Sequence, residues 1–222
     1  AQDVARWRER TQARLEAAFG VIAERKKWDR PDDEARAAAL HKSRRALLAA
    51  LHDLAQAGAG SLTSRIHGDF HLGQVLVVSG DVYIIDFEGE PARPLAERRA
   101  KSSPLRDVAG ILRSFDYAAA TIIDRKNVGL APISDERRDE FIARFRARAP
   151  KAFLRAYRAA ISASGATVSE RLLDLFLLEK AAYEITYEAA NRPSWFAVPL
   201  AGLSELARRV LQGNRGGEHG GR

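Results

Sequence analysis

Asp69, Gln74 and Asp86 are the residues of this chain whose types and spacing can do chemistry. They stand in the segment Arg65-Ile66-His67-Gly68-Asp69-Phe70-His71-Leu72-Gly73-Gln74-Val75-Leu76 and in Tyr83-Ile84-Ile85-Asp86-Phe87-Glu88-Gly89. An acid that opens a loop and an amide five residues later can face one small site from both ends of that loop. A following hairpin then delivers a second acid. Phosphoryl transfer requires an acceptor for the attacking hydroxyl's proton, and oxygen ligands for the magnesium ion that neutralises the phosphate oxygens. Asp69 suits the base, and Gln74 and Asp86 suit the metal. The order also follows the catalytic-loop template of kinases, with glutamine in place of asparagine and Asp86-Phe87-Glu88 in place of Asp-Phe-Gly. Glu88 reads either as a further ligand on the metal or phosphate side or as a surface carboxylate.

The surrounding elements have to position this set. Apolar residues recur at helical spacing over 4–18 and 33–57, the second stripe being Leu40, Leu47, Leu48, Leu51 and Leu54. Pro31, Asp32 and Asp33 supply a start signal, and Gly58 and Gly60 a stop. Two short strands are predicted at 75–78 and 82–85, joined by Ser79-Gly80-Asp81 as a tight turn. The three prolines and dense basic charge of 90–104 predict an irregular surface loop. Helices follow over 105–120, 135–163, 169–191 and 200–211, with Ser134 and Ser169 placed to cap. The fold class expected is α+β, mostly helical, with one small β-hairpin.

Composition narrows the function classes. The 222 residues are 46% hydrophobic, enough for one good core. No window reaches the roughly 20 apolar residues of a membrane span, and no signal peptide is visible, so a cytoplasmic protein without membrane partners is expected. Zero cysteines exclude thiolate metal sites and cysteine nucleophiles. The absence of methionine suggests a fragment of a longer chain. The net charge of +7 raises nucleic-acid binding as a possibility, but most arginines alternate with acids on helical faces, the pattern of a solvated surface, so no nucleic-acid partner is expected.

His-Gly-Asp followed by this loop resembles the aminoglycoside-phosphotransferase-like kinases. Longer blocks resemble the maltokinase family: 67–75 with glutamine at the metal position, Ile85-Asp86-Phe87-Glu88-Gly89-Glu90-Pro91, and the run 97–110. The resemblance covers most of 40–205. It implies the C-terminal lobe of a bilobal kinase using ATP and Mg2+, with maltose as acceptor, maltose 1-phosphate as product and a possible fused or associated trehalose synthase. On this reading 1–212 is the kinase-like C-terminal lobe, with catalytic loop 65–76, metal-binding hairpin 75–90 and helical acceptor subdomain 105–212. The glycine-rich stretch 213–222 is a disordered tail. Residues 1–60 offer no glycine-rich loop or strand lysine, so the N-terminal lobe is expected to be missing and the piece alone inactive.

The resemblance also implies structural roles for Asp107, holding the catalytic loop's backbone, and for His67, bracing it. His71 lies nearer the acceptor. In the helix over 169–191, Leu175, Leu178, Ala181, Ala182 and Ile185 share one face, read as core. Lys180, Tyr183, Glu184, Tyr187 and Asn191 share the other, with Arg192 and Trp195 following. Aromatic platforms among hydrogen-bonding groups suit a sugar-binding wall; the bland alternative is tyrosines packed on a neighbouring helix. Two other functions compete: the same fold acting on an aminoglycoside or choline, against which Lys180, Arg192 and the basic run 98–101 argue, and a non-catalytic basic binding module.

Overall fold

A computed structural model describes residues 2–91, 93–124, 134–163 and 167–217. Seven helices and one two-stranded ribbon make up the regular elements among these residues. Helix α1, Gln2–Glu24, buries Val4, Trp7, Leu15, Ala18, Phe19 and Ile22 at three- and four-residue spacing and runs past both expected ends. Helix α2, Pro31–Gln56, opens with proline in its first turn and with Asp32, Asp33 and Glu34 where the helix dipole favours acids. Asp33 is buried there between Arg30 and Arg36.

Strands β1, Val75–Val78, and β2, Asp81–Ile84, pair antiparallel in the register Val75↔Ile84 to Val78↔Asp81. The loop is therefore two residues, and Asp81 belongs to the strand rather than the turn. Ser79 and Gly80, at φ 51° and 84°, give the mirror-type turn whose twist matches a hairpin. The stretch 90–104, expected to be irregular throughout, contains the short helix α3, Leu95–Arg99. Pro94 launches it, because proline's fixed φ and missing N–H are harmless at a helix start.

Helix α4, Leu105–Asp124, is followed by α5, Asp135–Ser162, capped by Ser134 accepting from the Arg137 N–H. Ser169 caps α6, Glu170–Asn191, in the same way, accepting from the Leu172 N–H at 3.2 Å. A 3-10 turn at Pro193–Trp195 leads into α7, Ala197–Gly217. This last helix starts earlier than expected and continues past residue 212. Residues 218–222 of the expected tail lie outside the described residues. None of the described helices is long and apolar enough to cross a membrane.

Helix α6 is the axis of the core. It packs against α1, α2, α4 and α7, so both its leucine face and three of its four glutamates, Glu179, Glu184 and Glu188, are buried. A helix so placed has little solvated surface, and each buried acid must then find a partner. Helix α5 differs: Ile142 is its one fully buried residue, and it rests on α4 through Phe115, Phe145 and Phe153.

Candidate active site

The loop bearing Asp69 is pinned to α4 at three points. The N–H groups of His67 and Gly68 donate to the two Asp107 carboxylate oxygens at 2.7 and 2.9 Å. The Leu72 N–H donates to Ser114 Oγ at 3.1 Å. Between these pins α4 presents Gly110 to the loop, where a Cβ would stand 2.4 Å from the Phe70 carbonyl oxygen, so only glycine permits this approach. Burial pushes the Asp107 carboxyl above its ordinary value, and the two backbone donors pull the other way.

His67 joins the loop to the ribbon. Its Nε2 lies 2.8 Å from the Ile85 carbonyl oxygen and so donates to it, while Nδ1 accepts from the Asp69 N–H at 3.3 Å. Both ring nitrogens are thus occupied, and the ring sits beside Phe70 and Phe87. Immediately beyond Ile85, Asp86 takes the left-handed conformation at φ 64°, which aspartate tolerates better than most residues. Gln74 Nε2 donates to Asp86 Oδ2 at 2.9 Å. The structure therefore brings these two together from opposite ends of loop and ribbon. Glu88 is exposed, and its backbone carbonyl accepts from Arg98.

Gln74 and Asp86 fit a magnesium ion by donor type, since a side-chain amide and a carboxylate both offer the oxygens a hard cation prefers, although here Nε2 of the amide faces the carboxylate. No group of three or more His, Cys, Asp or Glu that could hold a metal ion occurs among the described residues.

Asp69 stands where two cavities meet. One is a hollow of about 40 Å³ reaching Arg93, Arg106 and Glu179. The other is a cleft of about 480 Å³ lined by Asp69, His71, Glu90, Lys180, Tyr183 and Tyr187, among others. Lys180 Nζ lies 3.6 Å from Asp69 Oδ1. His71 Nε2 is 4.0 Å from Asp69 Oδ2, and its Nδ1 accepts from the Gly73 N–H at 3.0 Å, so its ring caps the 3-10 turn Leu72–Gln74.

Of the helix face proposed for a sugar, Lys180, Tyr183, Glu184, Tyr187 and Arg192 line this cleft. The Tyr183 hydroxyl donates to Glu90 Oε1 at 3.0 Å, and burial together with Glu90 pushes its pKa upward. Two expected residues are not in the lining. Trp195 stacks on Tyr117 at 6.1 Å, and Asn191 turns back to the Tyr187 carbonyl. Arg192 is tied to Glu188 at 2.5 and 2.9 Å, and the basic run 98–101 lies outside the lining. Of the basic groups expected to keep a cationic acceptor out, Lys180 and Arg192 line the cleft and the run 98–101 does not. The cleft offers Asp69, Glu90, Glu184 and Glu188 against Lys180 and Arg192.

Several participants were missed by sequence reasoning. Glu90 lay within a quoted block without a role. Ser114, Tyr117 and the arginines around the buried glutamates carried no local signal. Glu179 receives Arg10, Arg106 and Arg93 at 2.8, 3.3 and 3.7 Å, from α1, α4 and the loop after the ribbon. These cations overcome the effect of burial and hold its carboxyl below the ordinary range.

The fold, a helical lobe with one ribbon and a loop-borne aspartate, is similar to one half of solved glucosamine kinases. The chain superposes with a TM-score of 0.77 and 25% identity on "Glucosamine kinase in complex with glucosamine, ADP and inorganic phosphate", covering 96% of this chain and 50% of that one. Glucosamine kinase in crystal form A gives a TM-score of 0.78 at 25% identity over 96% and 49%. By sequence, the chain is 30% identical over 157 residues to glucosamine kinase of Streptacidiphilus jiangxiensis, covering 69% of this chain and 34% of that protein. It is 34% identical over 143 residues to glucosamine kinase of Mycolicibacterium smegmatis, covering 63% and 33%. No family model matches. The chain thus spans about a third of the curated relatives it matches and about half of the solved structures. The likeness is to sugar kinases, and these relatives are glucosamine kinases rather than the maltokinases expected.

Proposed function

We propose that the full-length protein carrying this chain transfers the γ-phosphoryl group of ATP to a sugar hydroxyl, with Asp69 as the base. The observation that carries this reading is the position of Asp69. It is held by backbone pins at the mouth of the cleft, with Lys180 beside it and the Gln74–Asp86 pair on the adjoining ribbon. Asp69 accepts the proton of the attacking hydroxyl, and Lys180 orients its carboxylate. Gln74 and Asp86 would hold magnesium, with Glu88 two residues from Asp86, and the chemistry supplied there would be charge neutralisation at the phosphate oxygens. Asp107 and His67 keep the loop and the ribbon in register.

Glucosamine is the favoured acceptor. The relatives' names support it, and so do the carboxylates lining the cleft, which suit an ammonium group. Tyr183 and Tyr187 provide the aromatic wall, with His71, Glu184 and Arg192 around it. Maltose remains the second acceptor to test, and a trehalose synthase partner has no support from the relatives. The rest of the phosphate clamp belongs to an N-terminal lobe. The exposed apolar ribbon supports such a cover, because Val77, Val82 and Tyr83 are each more than half exposed here.

The test is ADP release by the full-length gene product and by this chain alone, with glucosamine, with maltose and with no sugar. The expected result is sugar-dependent release by the full-length product, faster with glucosamine, and none by the chain alone. Sugar-independent hydrolysis would overturn the sugar kinase reading, faster release with maltose the choice of acceptor, and turnover by the chain alone the need for a second lobe.

A further inference from the structure

Glu184 sits on the cleft side of α6 yet is almost wholly buried, and a buried carboxylate without a partner is costly. Its partner is Arg113 of α4, whose Nε and Nη2 both donate to Glu184 Oε2, at 2.9 and 2.7 Å. Glu184 Oε1 accepts no hydrogen bond among the described residues. One oxygen is therefore committed to the arginine, and the other is left to the cleft that Glu184 lines.

Arg113 is itself confined. It is 3% exposed, and its Nη1 donates to Asp116 at 2.5 Å. Burial alone would weaken the charge, but Glu184 and Asp116 outweigh it and raise the guanidinium pKa. On its far side lies a second cavity of about 750 Å³, which Arg113, Asp116 and Gly202 also line. The guanidinium is thus part of the partition between this cavity and the acceptor cleft. It fits because α7 has no side chain at Gly202: a Cβ there would stand 2.2 Å from Nη1, 2.7 Å from Cζ and 2.8 Å from Nη2. Glycine weakens a helix interior, so a glycine facing a pinned guanidinium needs a packing reason, and this is one.

We infer that Arg113, seated in the slot left by Gly202, is a positioning residue that holds Glu184 in place for the acceptor, one carboxylate oxygen bound to arginine and the other presented to a hydroxyl or ammonium of the sugar. The inference rests on the sugar kinase reading of the cleft and adds two residues to it, neither of which lines the acceptor cleft. Lysine cannot substitute for Arg113, because one ammonium does not reproduce the planar pair of donors.

The experiment compares Arg113→Lys, Gly202→Ala and the double variant in the full-length gene product. Steady-state kinetics are read for both substrates, with glucosamine affinity by calorimetry and thermal melts as the check on folding. Each single variant is expected to raise the KM and Kd for glucosamine about tenfold to a hundredfold, the loss of one charge-assisted contact. The KM for ATP should stay within about twofold, since on the sugar kinase reading this wall serves the acceptor rather than the nucleotide. The double variant should be no worse than the poorer single one, because both act through the same guanidinium. Should Arg113→Lys fail to fold, Gly202→Ala gives the answer. A folded Gly202→Ala protein with unchanged glucosamine affinity, or with equal losses for sugar and ATP, would sink the inference. Unaltered protein that binds glucosamine but transfers no phosphate would refute the kinase reading while leaving the positioning role readable from Kd. Failure of the unaltered protein to bind any sugar overturns both.

Discussion

Helix α6 and the β1–β2 ribbon have similarly apolar sequences and opposite surroundings. Leu172, Leu175, Leu178 and Ile185 are completely buried, whereas Val77 is 72% exposed, and Val82 and Tyr83 are more than half exposed. The helix is enclosed by four others, and a two-stranded hairpin has no third layer to pack against. On the proposed reading the two regions nevertheless supply one site. Lys180 reaches Asp69 from the rigid helix, and Asp86 arrives on the uncovered ribbon. On that reading the base lies beside the rigid helix and the metal ligands beside the exposed ribbon, so the acceptor wall is formed before the phosphate side is covered.

The largest test of this division is Asp69→Asn. In the full-length gene product, turnover should fall about 10²- to 10⁴-fold, the usual worth of a general base, with the melting temperature unchanged. An unchanged rate would remove Asp69 from the chemistry. On the helix side, Leu178→Ala should cost about 2–5 kcal/mol of stability in denaturant titration, because α6 cannot close the cavity left at its centre. A smaller loss would mean that the core is looser than its burial implies.

Asp107→Asn comes next in size. Asparagine keeps one acceptor oxygen and turns an amide toward the second loop N–H, so kcat should fall about tenfold to a hundredfold while α-helical content stays constant. The same residue predicts an acid limb. Its folded pKa is raised above the ordinary 3.8, so between those two values the folded state binds more protons than the unfolded state. From this group alone, stability rises as pH falls through that window, even as the loop loses its anionic acceptor. Activity should accordingly fade on acidification while the helical circular dichroism signal is intact; loss of both together would contradict this. The smallest effect belongs to the ribbon. Val77→Ala in this chain should change stability by no more than about 0.5 kcal/mol, and a larger cost would show that the strand is already packed.

The parts legible in the sequence were those with local causes. Ser134 and Ser169 marked the starts of α5 and α6, Pro31 and its acids marked α2, and Ser79-Gly80 marked the hairpin. The spacing of Asp69 and Gln74 was likewise visible, because both ends of one short loop belong to one site. Helix α3 was hidden by the prolines around it. Trp195 was misplaced because a sequence neighbour of the wall can turn its ring to Tyr117 instead. The make-up of the cleft was also only partly visible. Motif blocks marked the loop around Asp69, whereas the cleft is lined by residues from α4, α6 and the loop after the ribbon as well.

By itself the sequence determined the helices, the hairpin and the order of base, amide and acid, since each depends on neighbours within a few turns of chain. Only the tertiary structure decided which charges are buried, which are free and which are already spoken for. Glu184 meets Arg113 across 71 positions, and Tyr183 meets Glu90 across 93. Pairings over such separations follow from how helices pack around α6, and the electrostatics of the cleft follow from the pairings.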